Sequence, residues 1–445
     1  MKPTHTLPEK GLSKEGLFRE MRETQRADAN WKGGKTWSLV YYGGKNIDEI
    51  IQRAYQMFFH GNGLNPMVFK SLRKFETEVV AMAASLLGGG GDAAGTMTSG
   101  GSESIFMAVK TARDYARFKT PGVTTPEMIV PVSVHPAFEK AAHYLNVKPR
   151  RIPLGKDFRV DVAAAKEAVT ENTILLVGSA PAYPHGVMDP ISELAAIAQE
   201  RDIWFHVDAC LGGFILPFLK ELGRDLPPFD FQVPGVSSLS ADLHKYGFAA
   251  KGASVVLYRS RELRRHQFFV YPDWPGGLFA SPTSTGTRPG GSIAAAWAVM
   301  KYLGKEGYLE LARDIMDITE ALKEGIASLP ELYILGKPEI SVFAFTSGKL
   351  DVYLLADAMD ARGWHLDRQQ RPPCLHLMVT PAHAGIVDEF LKDLRDSVAE
   401  VKGKKGGESG GMAAMYGMMG TLPNRKAVGD FLLDFMDSLA WPEEG

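Results

Sequence analysis

Apolar residues return every three or four positions along NIDEIIQRAYQMFF (46–59) and VFKSLRKFETEVVAMAASLLGG (68–89). That spacing predicts two helices, the second stopped by glycine. Further on the pattern shortens. EMIVPVS (127–133), TILLVGSA (173–180), IWFHVDA (203–209) and SVVLYR (254–259) are compact apolar runs of strand length. Between them DVAAAKEAV (161–169) and PISELAAIAQERD (190–202) keep helical spacing. Such alternation predicts an α/β domain with a mainly parallel central sheet. After the Gly/Pro-rich loop SPTSTGTRPGGS (281–292) the texture changes. A long helical run covers roughly 293–328, and strand candidates PEISVFAFTS (338–347) and CLHLMVT (374–380) flank the helical DVYLLADAMDARG (351–363). The reading is an N-terminal arm (1–50), a large α/β domain (51–292) and a smaller α+β domain (293–445). Within the last, GKKGGESGGMAAMYGMMG (403–420) is glycine-rich and expected to be mobile, before a closing helix in KAVGDFLLDFMDSLA (426–440).

Composition narrows the function without choosing it. The 445 residues are 45% hydrophobic and 23% charged, with a formal net charge of −2. This is the balance of a soluble globular protein, and no basic block invites nucleic acid. Two cysteines, Cys210 and Cys374, cannot build a disulfide framework, so a reducing cytoplasm is expected. The first twenty residues are too polar for a signal peptide, and no run of about 18 apolar residues predicts a transmembrane helix.

Four segments carry candidate chemistry. In TSGGSESIFMAVKTARDYA (98–116), Ile105, Val109 and Ala112 repeat at helical spacing, so Gly100, Gly101 and Ser102 stand where a loop enters a helix. Backbone N–H groups and the helix dipole there suit a phosphate, although a plain capped helix would read the same. In IWFHVDACLGG, alternation puts Trp204, His206 and Asp208 on one face, with Asp208 at the strand's carboxyl end. A carboxylate there needs a cationic partner, which a protonated pyridine nitrogen, a salt bridge or a metal could be. No second ligand cluster accompanies it, so no metal site is expected. His135, just past EMIVPVS, could cover a flat ring in a cleft or simply bond to backbone.

The fourth segment is SADLHKYGFAAKG (240–252), which places His244 beside Lys245 and Lys251 six residues on. A lysine entering a buried strand is open to desolvation, which lowers its pKa and frees its amine for covalent chemistry. Lysine with an aldehyde and aspartate with a pyridine nitrogen make up the recognised arrangement for pyridoxal phosphate. Phosphate cup, ring-covering histidine, aspartate and lysine follow one another along the chain, which makes Lys245 the candidate attachment residue.

With these residues in view, the sequence resembles the fold-type-I pyridoxal-phosphate enzymes of the decarboxylase-like group, and within it the sphingosine-1-phosphate lyases. The matching stretches include TSGGSESI, PHGVMDPISELA, HVDACLGGF, SADLHKYGFAAKG, DWPGGLFASPT, TRPGG and AAMYGM, and span about residues 40–440. The resemblance implies a homodimer with shared sites, with Thr287 in the TRPGG loop reaching a neighbour's cofactor phosphate. It implies that His135 stacks on the cofactor, Asp208 pairs with its nitrogen, and Ser102 and His244 hold its phosphate. Lys251 and Tyr183 would face the substrate, a phosphorylated long-chain base, with Tyr41 and Asn62 as further contacts. Proton transfers would fall to Tyr183 and Lys245. Eukaryotic members of the family it resembles carry an N-terminal membrane anchor, and none is expected here. They carry histidine at the position of Asn65 and phenylalanine at that of Tyr183, so the resemblance does not transfer contacts at those two positions. The alternative is a pyridoxal-phosphate-dependent amino-acid decarboxylase, with Lys251, Arg288 or Arg371 meeting a substrate carboxylate.

Overall fold

The computed structural model describes residues 6–404 and 412–440. Strands β1 (Ala94–Thr98), β2 (Glu127–Pro131), β3 (Lys148–Ile152), β4 (Thr173–Ser179), β5 (Trp204–Asp208), β6 (Ser238–Ala241) and β7 (Ser254–Tyr258) form one sheet, ordered β1-β7-β6-β5-β4-β2-β3. The pairs β2–β3, β2–β4, β4–β5 and β5–β6 are parallel, while β7 runs antiparallel to both β1 and β6. The mainly parallel sheet expected from the alternation is therefore present. Period-two alternation divides it between two cores: Phe205, Val207, Leu239 and Leu257 on one face, Trp204, Val177, Val256 and Tyr258 on the other.

Three strands escaped the pattern for physical reasons. AGTMT and SLSA are short and made of small residues, and KPRRI is a half-exposed polar edge strand. A surface hairpin, β8 (Phe269–Trp274) with β9 (Gly277–Ser281), follows. The helix Gly290–Ala327 then crosses to the C-terminal part, bending where Gly304 takes φ 53°. It packs on the helices Lys45–Met57 and Lys70–Leu86 at one end and on the helix Val387–Val401 at the other. There β10 (Tyr333–Ile334), β11 (Val342–Thr346), β12 (Asp367–Gln369) and β13 (Cys374–Met378) form an antiparallel sheet ordered β10-β11-β13-β12.

The arm has two parts. A helix, Lys14–Gln25, is capped by Ser13 and buries none of its residues. Residues 35–38 instead run along the chain's own small sheet: His365 N–H donates to the Lys35 carbonyl (2.9 Å) and Met378 N–H to that of Trp37 (2.8 Å). Trp37 is fully buried and stacks on His383 at 4.2 Å. Of the stretch expected to be mobile, residues 405–411 lie outside the described residues, and Met412–Thr421 is a helix packed on the helix Val352–Asp360. Among the described residues no helix is long and apolar enough to cross a membrane.

Candidate active site

A cavity of about 500 Å³ opens at the carboxyl ends of β4 and β5 and the turn after β6, the ligand side of a parallel sheet. Tyr41, His135, Tyr183, Asp208, His244, Lys245 and Lys251 all line it. Asp208 ends β5; its Oδ1 accepts from the Cys210 N–H (3.1 Å) and the Ser240 hydroxyl (3.3 Å). His206, on the same face, is fully buried between Ser238 (2.8 Å) and Ser240 (3.2 Å), and burial lowers its pKa to about 4. Both ring nitrogens are thus engaged within the sheet. His135 is exposed toward the cavity, its Nδ1 accepting from the Ala137 N–H (3.2 Å).

Lys245 corrects one expectation. Burial is the largest single influence and pulls its pKa down, but the charge and hydrogen bond of Asp242, joined by Cys210 and Asp208, together outweigh it and hold the amine above the ordinary lysine value. Its Nζ lies 3.0 Å from Asp242 Oδ2. Asp242 is 2% exposed and stays below the usual aspartate value despite burial, because Lys245 and His244 face it; its Oδ1 has no hydrogen-bond partner. Sequence reasoning passed over this residue, although a carboxylate three positions before a buried lysine was a readable signal. Lys251 is the lysine that desolvation does lower, to about 8, with the charge of Lys245 adding to the effect. Its Nζ lies 5.2 Å from the centre of the Tyr41 ring.

The helix Gly101–Lys119 begins where expected. Gly100 has φ 153°, and a Cβ there would lie 3.2 Å from His244 Cε1; one on Gly101 would lie 2.7 Å from Asp242 Oδ2. Both glycines let the helix start abut the lysine-bearing turn, so the proposed phosphate cup adjoins the cavity through His244. Burial lowers the His244 pKa to about 4, and its Nδ1 accepts from the Ala253 N–H. Ser102 is exposed in the first turn. Glu103, also missed, accepts from the Ser99 N–H (2.7 Å), reaching back as in a capping box, and from Ser284 and Thr285 N–H groups. It pins the loop that leads to Thr287.

Thr287 and Asn62 sit elsewhere. Asn62 donates to the Thr287 hydroxyl (3.5 Å) and accepts from the Arg288 N–H (3.2 Å), while the Arg288 guanidinium pairs with Glu76. Thr287 lines a separate cavity of about 60 Å³ with Glu103 and Gly252. Neither residue lines the larger cavity.

The two cavity tyrosines differ. The Tyr41 hydroxyl donates to Met378 Sδ (3.1 Å). That of Tyr183 donates to Asp367 Oδ2 (2.8 Å), on β12, a residue whose setting in the polar LDRQQ run gave no signal. Burial, and for Tyr183 the Asp367 charge, lift both phenols above the ordinary tyrosine value.

Comparison with known proteins supplies the class first. The profile of the pyridoxal-dependent decarboxylase conserved domain matches residues 68–347. A sphingosine-1-phosphate lyase of Arabidopsis thaliana is 49% identical over 443 residues, covering 98% of this chain and 81% of the relative. A solved sphingosine-1-phosphate lyase from Burkholderia pseudomallei superposes with TM-score 0.89 at 38% identity, over 98% of this chain and 97% of that one. A glutamate decarboxylase of Lactobacillus brevis, at 18% identity and TM-score 0.79 over 91% and 96% of the two chains, shares the fold. The chain belongs to the sphingosine-1-phosphate lyase family.

The residues fit pyridoxal phosphate. The cofactor needs an amine for its aldehyde, an anion for its ring nitrogen, a flat neighbour and donors for its phosphate. Lys245, Asp208 and His135 line one cavity and offer the first three; the helix start, which does not itself line the cavity, adjoins it at His244. The partnerless Asp242 oxygen beside Lys245 marks a spot where the chain alone leaves a buried polar group unanswered.

Proposed function

We propose that this protein is a pyridoxal-phosphate-dependent carbon–carbon lyase that cleaves phosphorylated sphingoid bases between Cα and C3, giving a long-chain aldehyde and phosphoethanolamine. The near-full-length identity to sphingosine-1-phosphate lyases carries the reading. When bound, the cofactor supplies an electron sink for the bond that breaks at Cα. Lys245 is the residue proposed to hold it covalently. Asp208 keeps a proton on the ring nitrogen, and His135 covers the ring face. Gly100, Gly101, Ser102 and His244 hold its phosphate. Lys251, cationic below about pH 8, meets the substrate phosphate or carries a proton at Nζ. Tyr183 holds a proton at Oη, and Tyr41 narrows the cavity beside Lys251.

The same reading makes the protein a cytoplasmic homodimer, with the Thr287–Asn62 cluster serving the partner's cofactor phosphate and the domains dividing near residue 292. Exposed apolar side chains support a second copy: Leu17, Phe18 and Met21 on the helix Lys14–Gln25, and Leu432, Leu433 and Met436 on Arg425–Leu439. Helices of 12 and 15 residues are marginal in water unless an apolar face is covered. The decarboxylase alternative loses two of its three cations. Arg288 is paired with Glu76, and Arg371 lines a different cavity.

The test is a product assay on cofactor-loaded protein, with a phosphorylated sphingoid base in one reaction and a panel of amino acids in another. Fatty aldehyde and phosphoethanolamine are expected from the first. Carbon dioxide from the second, with no aldehyde from the first, would overturn the reading.

A further inference from the structure

We infer that Asp367 is a positioning residue for the cleavage, holding Tyr183 as the middle member of a proton relay from the cavity to solvent; this rests on the lyase reading. Tyr183 lines the cavity and its hydroxyl donates to Asp367 Oδ2 at 2.8 Å. Everything around the pair fixes that geometry. Asp367 Oδ1 accepts from the Ser38 hydroxyl (3.0 Å), so the arm, the loop after β4 and the small sheet meet on one carboxylate. His376, fully buried, packs its ring 4.3 Å from that of Tyr183 and donates from Nε2 to the Tyr183 carbonyl (2.9 Å). Its Nδ1, buried with no hydrogen-bond partner, lies 3.8 Å from Asp367 Oδ2. The Asp367 side chain is 34% exposed, so a proton arriving there can leave to water.

The contrast with Tyr41 selects this tyrosine. The Tyr41 hydroxyl is spent on a thioether, which cannot take its proton, whereas a carboxylate stands behind Tyr183. In the step, the substrate C3 O–H bond breaks and its proton joins Tyr183 Oη. The former Tyr183 proton passes to Asp367 Oδ2, and the freed oxygen lone pair becomes the second bond of the aldehyde carbonyl as the Cα–C3 bond breaks and its electron pair stays with Cα. One proton enters Oη and one leaves it, and no oxidant or reductant is consumed.

The test compares the holoenzyme with Asp367→Asn, Tyr183→Phe and the double variant on a phosphorylated sphingoid base. Each single change is expected to lower kcat about a hundredfold, the lower end of one acid–base contribution, with KM within about twofold. The double variant should lose no more than the worse single one, and Asp367→Glu should recover part of the rate. Losses that multiply, or a change confined to KM, would overturn the relay. A second measurement does not need turnover: the phenolate band of Tyr183, read as the difference between Asp367→Asn and the double variant, should appear at lower pH than the corresponding difference between wild type and Tyr183→Phe. No such shift would also overturn the assignment. If wild type fails to cleave the substrate, the lyase reading falls, and the phenolate titration still decides whether Asp367 governs Tyr183.

Discussion

Lys245 at the cavity floor and Lys251 at its mouth are six residues apart in sequence and line one space, yet their surroundings push them in opposite directions. Desolvation acts on both. At the floor Asp242, 3.0 Å away, leads the groups that together reverse it; at the mouth the pull of Asp242 is the smallest influence, and the neighbouring cation Lys245 pushes with desolvation. Burial alone therefore does not decide which lysine is reactive. The counter-charge does, and an amine held protonated at the floor must give up its proton before it can bond to an aldehyde.

The strongest way to break the comparison is Lys245→Ala. Turnover should fall on the order of a thousandfold or more, as when a covalent group is deleted. Borohydride reduction of cofactor-loaded variant should leave no pyridoxyl mass on the chain. A reduced adduct on Lys251 in that variant would mean that mouth and floor had been assigned the wrong way round.

Asp242→Asn removes what makes the floor different. Breaking a buried pair by deleting one partner costs about 3 kcal/mol or more, so the cofactor-free variant should unfold at clearly lower denaturant. The sign with pH is fixed by both partners. Asp242, depressed in the fold, contributes stability above the ordinary aspartate value and loses it as pH falls through its lowered value. Lys245, raised in the fold, contributes below the ordinary lysine value and loses it as pH rises through its raised one. The deficit should therefore be flat across neutral pH. Equal stability of variant and wild type would show that the pair contributes nothing net.

At the mouth, Lys251→Met should raise KM roughly tenfold, the worth of one charge-assisted hydrogen bond. In wild type, KM should climb as pH rises through about 8, where Lys251 loses its charge, while the substrate phosphate, with its second pKa near about 6, no longer changes. The variant should show no such climb. A kcat that rises through pH 8 in wild type and not in the variant would make Lys251 a base instead of an anchor.

Much of this site was legible because its residues sit at element boundaries that apolar spacing predicts. Asp208 ends an apolar strand, Gly100 precedes a periodic helix and Lys245 precedes SVVLY. What escaped was whatever depends on long-range approach. Asp367 meets Tyr183 across 184 positions, inside a three-residue strand with no apolar signature. The arm proved half structural because Trp37 has a stacking partner in His383, a pairing no local pattern announces. Asp242 and Glu103 lay within reach, one as a buried i, i+3 partner and the other as a helix-start acid, but both were hidden beside residues with more obvious chemistry.

The smallest effect tests whether this cavity is complete within one chain. Thr287 and Asn62 are bonded to each other and lie outside the cavity that holds the other candidates. If they serve the partner's cofactor, Thr287→Ala should weaken cofactor retention only a few-fold, since one neutral hydrogen bond contributes about 1 kcal/mol. Diluting wild type until the dimer dissociates should weaken retention by at least as much, because dilution removes the whole cluster at once. Retention is read from the cofactor's absorbance after gel filtration across a concentration series. Agreement between the two treatments, with no further loss when the variant is diluted beyond what the rest of the loop explains, would tie Thr287 to the neighbouring site. A variant that keeps its cofactor as wild type does, in a protein indifferent to dilution, would leave the floor and mouth of one chain sufficient by themselves.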